Sequence, residues 1–329
     1  MVRLATIGTS SITDFFLGGV KLTGRFTLSA VYSRSFETGR SFADKHGCSK
    51  VFTNLYEMAQ YEGIDAVYIA SPNAFHFEQS KLFLENGKNV ICEKPVVTNY
   101  SQLEELLKIA KSNGVIYTEA IMPVYTPASG LIKEEIKRLG KLSLARIDFC
   151  QRSSRYDAFK RGEQVNIFDM SLAAGTLMDL GIYCVYAAVD LFGMPDKILS
   201  GADFLSNGAD GSGAAIFSYS DFSVILTYSK TGQSQIGSEI VGDFGAIKIK
   251  SISQFTGVSS NINGVEKEIC GTPIKEEVMK WEAAYFADYI ENKEKYLCDY
   301  EEKIQLMLKA HKCMEIMRNN ADIIFGGQK

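Results

Sequence analysis

Three groups of residues in this chain carry chemistry. The first is Glu93-Lys94-Pro95, directly after the apolar run Asn89–Cys92. Proline cannot extend a sheet ladder and disfavours helix in the residue before it, so Lys94 is expected in extended geometry at a strand end. The second is Asp179 and Tyr183, four apart in a stretch that otherwise reads Leu177, Met178, Leu180, Ile182 and Cys184. On an α-helix that spacing puts both on one face. A carboxylate among such neighbours needs a partner, which a ligand hydroxyl or Lys94 would supply. Gly181 between them would let a ligand or a strand come close. The third is the turn Gly8-Thr9-Ser10-Ser11-Ile12-Thr13 after the apolar run Leu4–Ile7. Each group has an ordinary alternative: a solvated lysine, a structural aspartate with Tyr183 in the core, and a strand–turn–helix with a serine cap.

The turn sits where a dinucleotide fold carries Gly-x-Gly-x-x-Gly. Gly8 fills the first position, Ser10 the second and Thr13 the third. The first glycine permits the tight turn, and helix-terminal amides after it attract a pyrophosphate. The serine adds a Cβ and a hydroxyl that can bond a phosphate. Thr9, Ser11 and Ile12 complete the candidate phosphate loop. At the end of the second apolar run, Ser33-Arg34 stands where an NAD site places an acid. A serine and a guanidinium suit the 2′-phosphate of NADP, with NAD as the alternative. Ser71-Pro72-Asn73-Ala74-Phe75-His76 follows the fourth run, where loops form the ligand crevice of such a sheet. Asn73 is also suited to cap the next helix, and His76 is given a positional role near the nicotinamide.

These residues need a scaffold, and the pattern supplies one. Short apolar runs (Leu4–Ile7, Thr27–Tyr32, Lys50–Thr53, Ala66–Ala70, Asn89–Cys92, Val115–Ala120) alternate with amphipathic stretches up to residue 122. Runs such as Ala66-Val67-Tyr68-Ile69-Ala70 imply burial on both faces, hence a doubly wound parallel sheet. Gly47, Gly87 and Gly114 are expected to end helices. Beyond residue 122 come a helix at 128–139, a strand at 142–151, a polar loop, a helix at 175–191, and strands at 213–219, 223–229, 235–242 and 246–251. Helices at 275–292 and 300–319 close the chain. The expected class is α/β: a Rossmann domain (1–122) and an α+β domain (123–329) with an open, mainly antiparallel sheet for substrate and oligomerisation. The last helices are free to pack back on the first domain.

The chain has 329 residues, 46% of them apolar, enough for two cores. A net charge of −4, from 35 basic and 39 acidic residues without a polybasic stripe, argues against nucleic acid or an anionic membrane. No run of about 18 or more apolar residues is evident to span a bilayer. Seven cysteines without a Cys-x-x-Cys pair fit neither a disulfide framework nor a metal site. With no signal-peptide layout at the start, the expected compartment is a reducing cytoplasm.

In order along the chain, Gly8, Ser33-Arg34, Ser71–His76, Glu93-Lys94-Pro95, Glu119-Ala120 and Ala174–Tyr183 resemble the glucose–fructose oxidoreductase / inositol dehydrogenase family, written Gfo/Idh/MocA. The run Asn166-Ile167-Phe168 with Leu172–Gly175 is similar to its branch of dimeric dihydrodiol dehydrogenases. The chain departs from the family at Ser10, at Val124 in place of an expected arginine, and at Tyr183 in place of histidine. The resemblance implies a Rossmann domain, a nicotinamide cofactor held in part by Glu93 and Glu119, a homo-oligomer through the open sheet, and Lys94 as a catalytic residue. It also implies hydride transfer to or from a hydroxyl-bearing carbon of a sugar, polyol or cyclic trans-diol.

That reaction moves a hydride and a proton; the nicotinamide carries the hydride and the protein must handle the proton. Asp179 is expected to fix a substrate hydroxyl, and Tyr183 to exchange the proton with its pKa lowered by the Lys94 ammonium. An alternative gives the proton to Lys94 itself. The polar loop 151–169, with Arg152 and Asn166, is expected to shape the substrate pocket, or else to be a solvated connection. Two other functions stay open: a dinucleotide sensor without catalysis, and a cofactor-retaining sugar oxidoreductase.

Overall fold

A computed structural model describes residues 1–325, which divide into two compact units: residues 1–121 with 274–305, and residues 122–273 with those from 306 on. The first unit holds six parallel strands: β1 (Val2–Ile7), β2 (Phe26–Tyr32), β3 (Val51–Phe52), β4 (Ala66–Ile69), β5 (Asn89–Glu93) and β6 (Tyr117–Ala120). Their order is β3-β2-β1-β4-β5-β6, so the winding reverses between β1 and β4. Ligands of such sheets bind beyond the carboxyl ends at that reversal. Five helices alternate with the strands: α1 (Ser11–Thr23), α2 (Phe36–Lys45), α3 (Leu55–Gln60), α4 (His76–Glu85) and α5 (Tyr100–Asn113). All of β4 is buried, as a central strand covered on both faces must be. Gly47, Gly87 and Gly114 all take positive φ at the helix ends where they were expected.

The second unit begins with α6 (Pro127–Lys137), β7 (Leu142–Cys150), α7 (Tyr156–Lys160) and α8 (Ile182–Phe192). Seven strands follow: β8 (Lys197–Phe204), β9 (Asp210–Ser218), β10 (Ser223–Ser229), β11 (Ser238–Gly242), β12 (Gly245–Ser251), β13 (Thr256–Ile262) and β14 (Val265–Cys270). They join β7 in the order β14-β13-β12-β11-β7-β10-β9-β8, antiparallel except for β7 beside β10. The open, mainly antiparallel sheet is as expected, but β8, β13 and β14 are additional. Their sequences hide them: β14 is half charged and largely exposed, and β13 is rich in serine and asparagine.

Two further corrections concern the segments around the candidate site. The polar loop after β7 contains short helical turns at Tyr156–Lys160, Asn166–Phe168 and Met170–Leu172. The helix expected over 175–191 opens as a π turn at Leu177–Gly181 before α8. The helical run Met170–Phe192 is also long and apolar enough to cross a membrane by length and composition, with mean hydropathy 1.6 over its best window, where none was foreseen. That window is 83% buried inside the fold, as a core helix is.

Two helices complete the chain, α9 (Lys275–Glu291) and α10 (Leu297–Asn320). Within the first unit α9 packs on α1 at Gly18 and Gly19. A Cβ on Gly19 would lie 2.7 Å from the Lys280 backbone nitrogen and 2.8 Å from the Met279 carbonyl carbon. The two backbones therefore touch where a side chain would hold them apart. Gly130, in α6, has open space where its Cβ would be. Gly130→Ala should stabilise by about 0.5–1 kcal/mol through helix propensity. At Gly19 the same gain is outweighed by overpacking of roughly 1–3 kcal/mol, so Gly19→Ala should destabilise. Urea denaturation of both variants checks this, and a Gly19→Ala chain more stable than wild type contradicts the packing.

Candidate active site

At the carboxyl ends of β1, β2 and β4 the first unit encloses a cavity of about 720 Å³. Six of the residues expected to hold a dinucleotide line it: Gly8, Thr9, Ser10, Ser33, Arg34 and Ser71. Gly8 has φ +104°, and a Cβ there would come within 2.6 Å of the Ala70 carbonyl oxygen. Only glycine lets the β1 loop lie against the β4 loop in this way. Ser10 takes the N-cap position of α1, yet its side chain makes no capping bond. The helix amides and the serine hydroxyl are thus left for an anion. Ser11 and Ile12 form the first turn of α1. Ser35 caps α2 by accepting from the Thr38 N–H at 3.3 Å. Arg34 is exposed at the cavity, and no ion pair or side-chain hydrogen bond engages its guanidinium among the described residues.

The other expected cofactor residues lie in the loops and strand ends around β5. Asn73 opens a 3-10 turn, Asn73–Phe75, and so does not cap α4, whose N-cap position is Phe75. His76 is buried, with one ring nitrogen 2.8 Å from the Pro95 carbonyl oxygen and the other 2.7 Å from that of Ser71. Burial lowers its pKa, against the pull of the two carbonyls. The ring ties the β4 loop to the β5 loop, which places His76 inside the scaffold. Glu119 is buried at β6 and accepts the Val96 N–H at 3.1 Å, so it too fixes the turn after Lys94. The Lys94–Pro95 peptide is cis, and Lys94 is half-buried directly after β5.

Beneath Lys94 lies a buried acidic cluster. The Tyr68 hydroxyl donates to Glu93 Oε1 at 2.5 Å, and the Tyr68 ring stacks on Phe16 at 3.8 Å between centroids. Glu282 of α9 is 1% exposed, and neither carboxyl oxygen has a hydrogen-bond partner among the described residues. Burial first, and then the charge of Glu93, hold the Glu282 carboxyl well above its ordinary range. Burial raises Glu93 as well, while the Tyr68 bond and Lys94 oppose it. Lys275 is lowered by burial. Of the pair, Glu282 is the one driven further toward the neutral form.

In the second unit, Asp179 lies in the π turn and Tyr183 in α8. The α-helical reading of their spacing is therefore corrected: a π turn adds a residue to one turn and rotates Asp179 relative to Tyr183. Gly181 lets the Tyr228 ring approach, since a Cβ would sit 3.2 Å from that ring. Tyr183 is buried, with its ring edge-on to Phe149 at 5.7 Å. Asp179 has a partner that was not anticipated: Lys230 Nζ lies 2.7 Å from its Oδ2. Asp210 supports the same turn by accepting the Leu177 N–H at 2.6 Å. Burial pushes its carboxyl up to about 6. Of the loop residues, Asn166 is exposed at the start of its turn, and Arg152 pairs with Asp157 at 2.7 Å.

Two family models match the chain: an oxidoreductase family with an NAD-binding Rossmann fold, over residues 2–121, and the GFO/IDH/MocA C-terminal domain, over residues 132–248. The scyllo-inositol 2-dehydrogenase (NADP(+)) IolU of Bacillus subtilis is 40% identical over 99% of this chain and 98% of its own. The chain belongs to the GFO/IDH/MocA oxidoreductase family. This is the family that the ordered motifs resembled. A trans-1,2-dihydrobenzene-1,2-diol dehydrogenase of Xenopus tropicalis, from the branch also resembled, is 28% identical over 73% of this chain and 71% of its own. Among solved structures, KijD10, a 3-ketoreductase from Actinomadura kijaniata in complex with NADP and TDP-benzene, is similar with a TM-score of 0.83. It is 18% identical over 97% of this chain and 98% of its own, which speaks to the fold alone.

Sequence reading missed Lys230, Asp210 and Glu282. Glu282 had a signal: it stands four residues from both Val278 and Phe286, on the buried face of α9. Its raised pKa gives a stability prediction. Below the ordinary carboxyl value of 4.5, folded and unfolded chains both hold the proton. Above it the unfolded chain releases the proton while the folded chain keeps it, so this group costs more stability as pH rises. Glutamine does not titrate. The stability of Glu282→Gln relative to wild type should thus rise between pH 4.5 and pH 8, on the order of 1 kcal/mol or more. Thermal unfolding at both pH values reads this, and a difference that shrinks with pH contradicts a protonated Glu282.

Proposed function

We propose that the protein is an NADP-dependent dehydrogenase acting on a hydroxyl-bearing carbon of a sugar or cyclic polyol, with inositols the leading candidates. The observation that carries this reading is the uncommitted Arg34 beside Ser33 on the cavity that Gly8 shapes. The relation to a scyllo-inositol dehydrogenase along the whole chain supports the substrate class. Gly8, Thr9, Ser10 and the first turn of α1, with Ser11 and Ile12, would hold the pyrophosphate. Ser33 and Arg34 would take the 2′-phosphate through charge-assisted bonds. Ser71 and Asn73 would face the nicotinamide half. His76, Glu93 and Glu119 would act through the loops they fix.

When bound, the nicotinamide supplies the hydride chemistry. Lys94 polarises the reacting oxygen. Tyr183 exchanges the proton with that oxygen, and Asp179 accepts a bond from a neighbouring substrate hydroxyl. Asn166 adds a polar contact for substrate. Arg152 is committed to Asp157 and would have to leave that pair to join it. Leu199 and Ile216, paired across β8 and β9 and both exposed, support a homo-oligomer through the open sheet. Seven free cysteines suit a reducing cytoplasm.

The test is a screen of inositols, sugars and trans-diols with NADP, following absorbance of the reduced cofactor. A cyclic polyol should be oxidised, and Lys94→Ala and Tyr183→Phe should each lower kcat by about 100-fold or more. Near-normal turnover by Tyr183→Phe would move the proton role to Lys94. Absence of turnover with every hydroxylated compound, by a protein that binds NADPH, would sink the reading.

A further inference from the structure

The Lys230 ammonium is buried where nothing in the mechanism yet uses it. Its side chain is 5% exposed, against 40% for that of Asp179, its partner at 2.7 Å. Taking an ammonium out of water is costly unless charge and hydrogen bonds compensate, and breaking such a pair strands the remaining charge. Lys230 has several compensations. Its Nζ donates to the Ile167 carbonyl oxygen at 3.3 Å and lies 5.7 Å from the centre of the Phe168 ring. Its charge is also felt by the buried Asp210. The backbone fixes the direction of approach. The Lys230 N–H donates to the Gly211 carbonyl at 3.0 Å, and its own carbonyl accepts the Ser153 N–H at 2.8 Å. The lysine is therefore anchored where β10 ends, beside β9 and the start of the polar loop.

We infer that Lys230 is a positioning residue for substrate specificity: one ammonium holds the Asp179 carboxylate and fixes the Asn166–Phe168 turn. The inference rests on the reading of Asp179 as the substrate hydroxyl anchor. A carboxylate that accepts a substrate hydroxyl must be aimed, and a rigid cation on its buried side holds it in place. The same cation links the anchor to the loop that carries Asn166. The second unit's polar contacts to a polyol are thus set by a residue that touches no substrate.

The experiment compares Asp179→Asn, Lys230→Met, Lys230→Arg and the Asp179→Asn/Lys230→Met double variant on the polyol that the screen identifies. Substrate KM, kcat and NADP affinity are measured for each. Lys230→Met should lower kcat/KM by about 10- to 100-fold, with NADP affinity unchanged within about twofold. Lys230→Arg should recover most of the loss, because a cation returns to the site. In the Asp179→Asn background the Lys230→Met change should cost less than about threefold, since its object is gone. The inference is overturned by an equal loss in both backgrounds, or by a Lys230→Met enzyme of normal kcat/KM beside a slow Asp179→Asn. A fully active Asp179→Asn instead overturns the anchor reading itself. Should Lys230→Met not fold, Lys230→Gln in the same two backgrounds decides by the same comparison.

Discussion

The candidate cofactor cavity depends on one close approach. The Gly8 backbone lies so near the Ala70 carbonyl that a Cβ would come within 2.6 Å of its oxygen. That contact brings the loops after β1 and β4 together where the strand order reverses. The amino end of α1 then opens on the cavity, with Ser33 and Arg34 of the β2 loop on its wall. The glycine fingerprint is incomplete at its second position, and the structure shows why this is tolerated. Ser10 is exposed at the N-cap and makes no bond to the helix. Its Cβ adds little obstruction, and its hydroxyl is free to meet a phosphate.

Both units bury ionisable groups directly behind the residues proposed to meet substrate, a placement that is costly unless each charge is paired or neutralised. In the first unit the solution is neutralisation. Glu93 accepts from Tyr68 and lies beside Lys94, while burial and Glu93 drive Glu282 toward its neutral form. In the second unit the solution is pairing, with Lys230 against Asp179 and Asp210 capping the π turn. The Tyr68 bond fixes the residue before Lys94, and Lys230 holds Asp179. Held geometry of this kind is what positioning a substrate for hydride transfer requires.

The legible parts of the chain were those that local pattern encodes. The six parallel strands announced themselves as short, mainly apolar runs, near-continuous at β4, and several helix ends as glycines. The ordered motifs from Gly8 to Tyr183 gave the family. Long-range pairing was not legible: nothing near Lys230 in sequence says that its partner is Asp179. The π turn escaped because its residues, Leu177-Met178-Asp179-Leu180-Gly181, suit an α-helix equally well. The tertiary packing of Gly181 against Tyr228 accompanies that departure. Strand β14 escaped because a half-charged strand at a sheet edge buries too little to mark itself, and β13 because serine, threonine and asparagine hold most of its positions.

The central claim is that Ser33 and Arg34 make the cavity a site for a 2′-phosphorylated dinucleotide. Fluorescence titration of the wild-type protein with NADPH and with NADH, at equal ionic strength, tests it most directly. A guanidinium bonded to a phosphate should make NADPH bind about tenfold or more tightly than NADH. Equal affinities, or tighter binding of NADH, would contradict it.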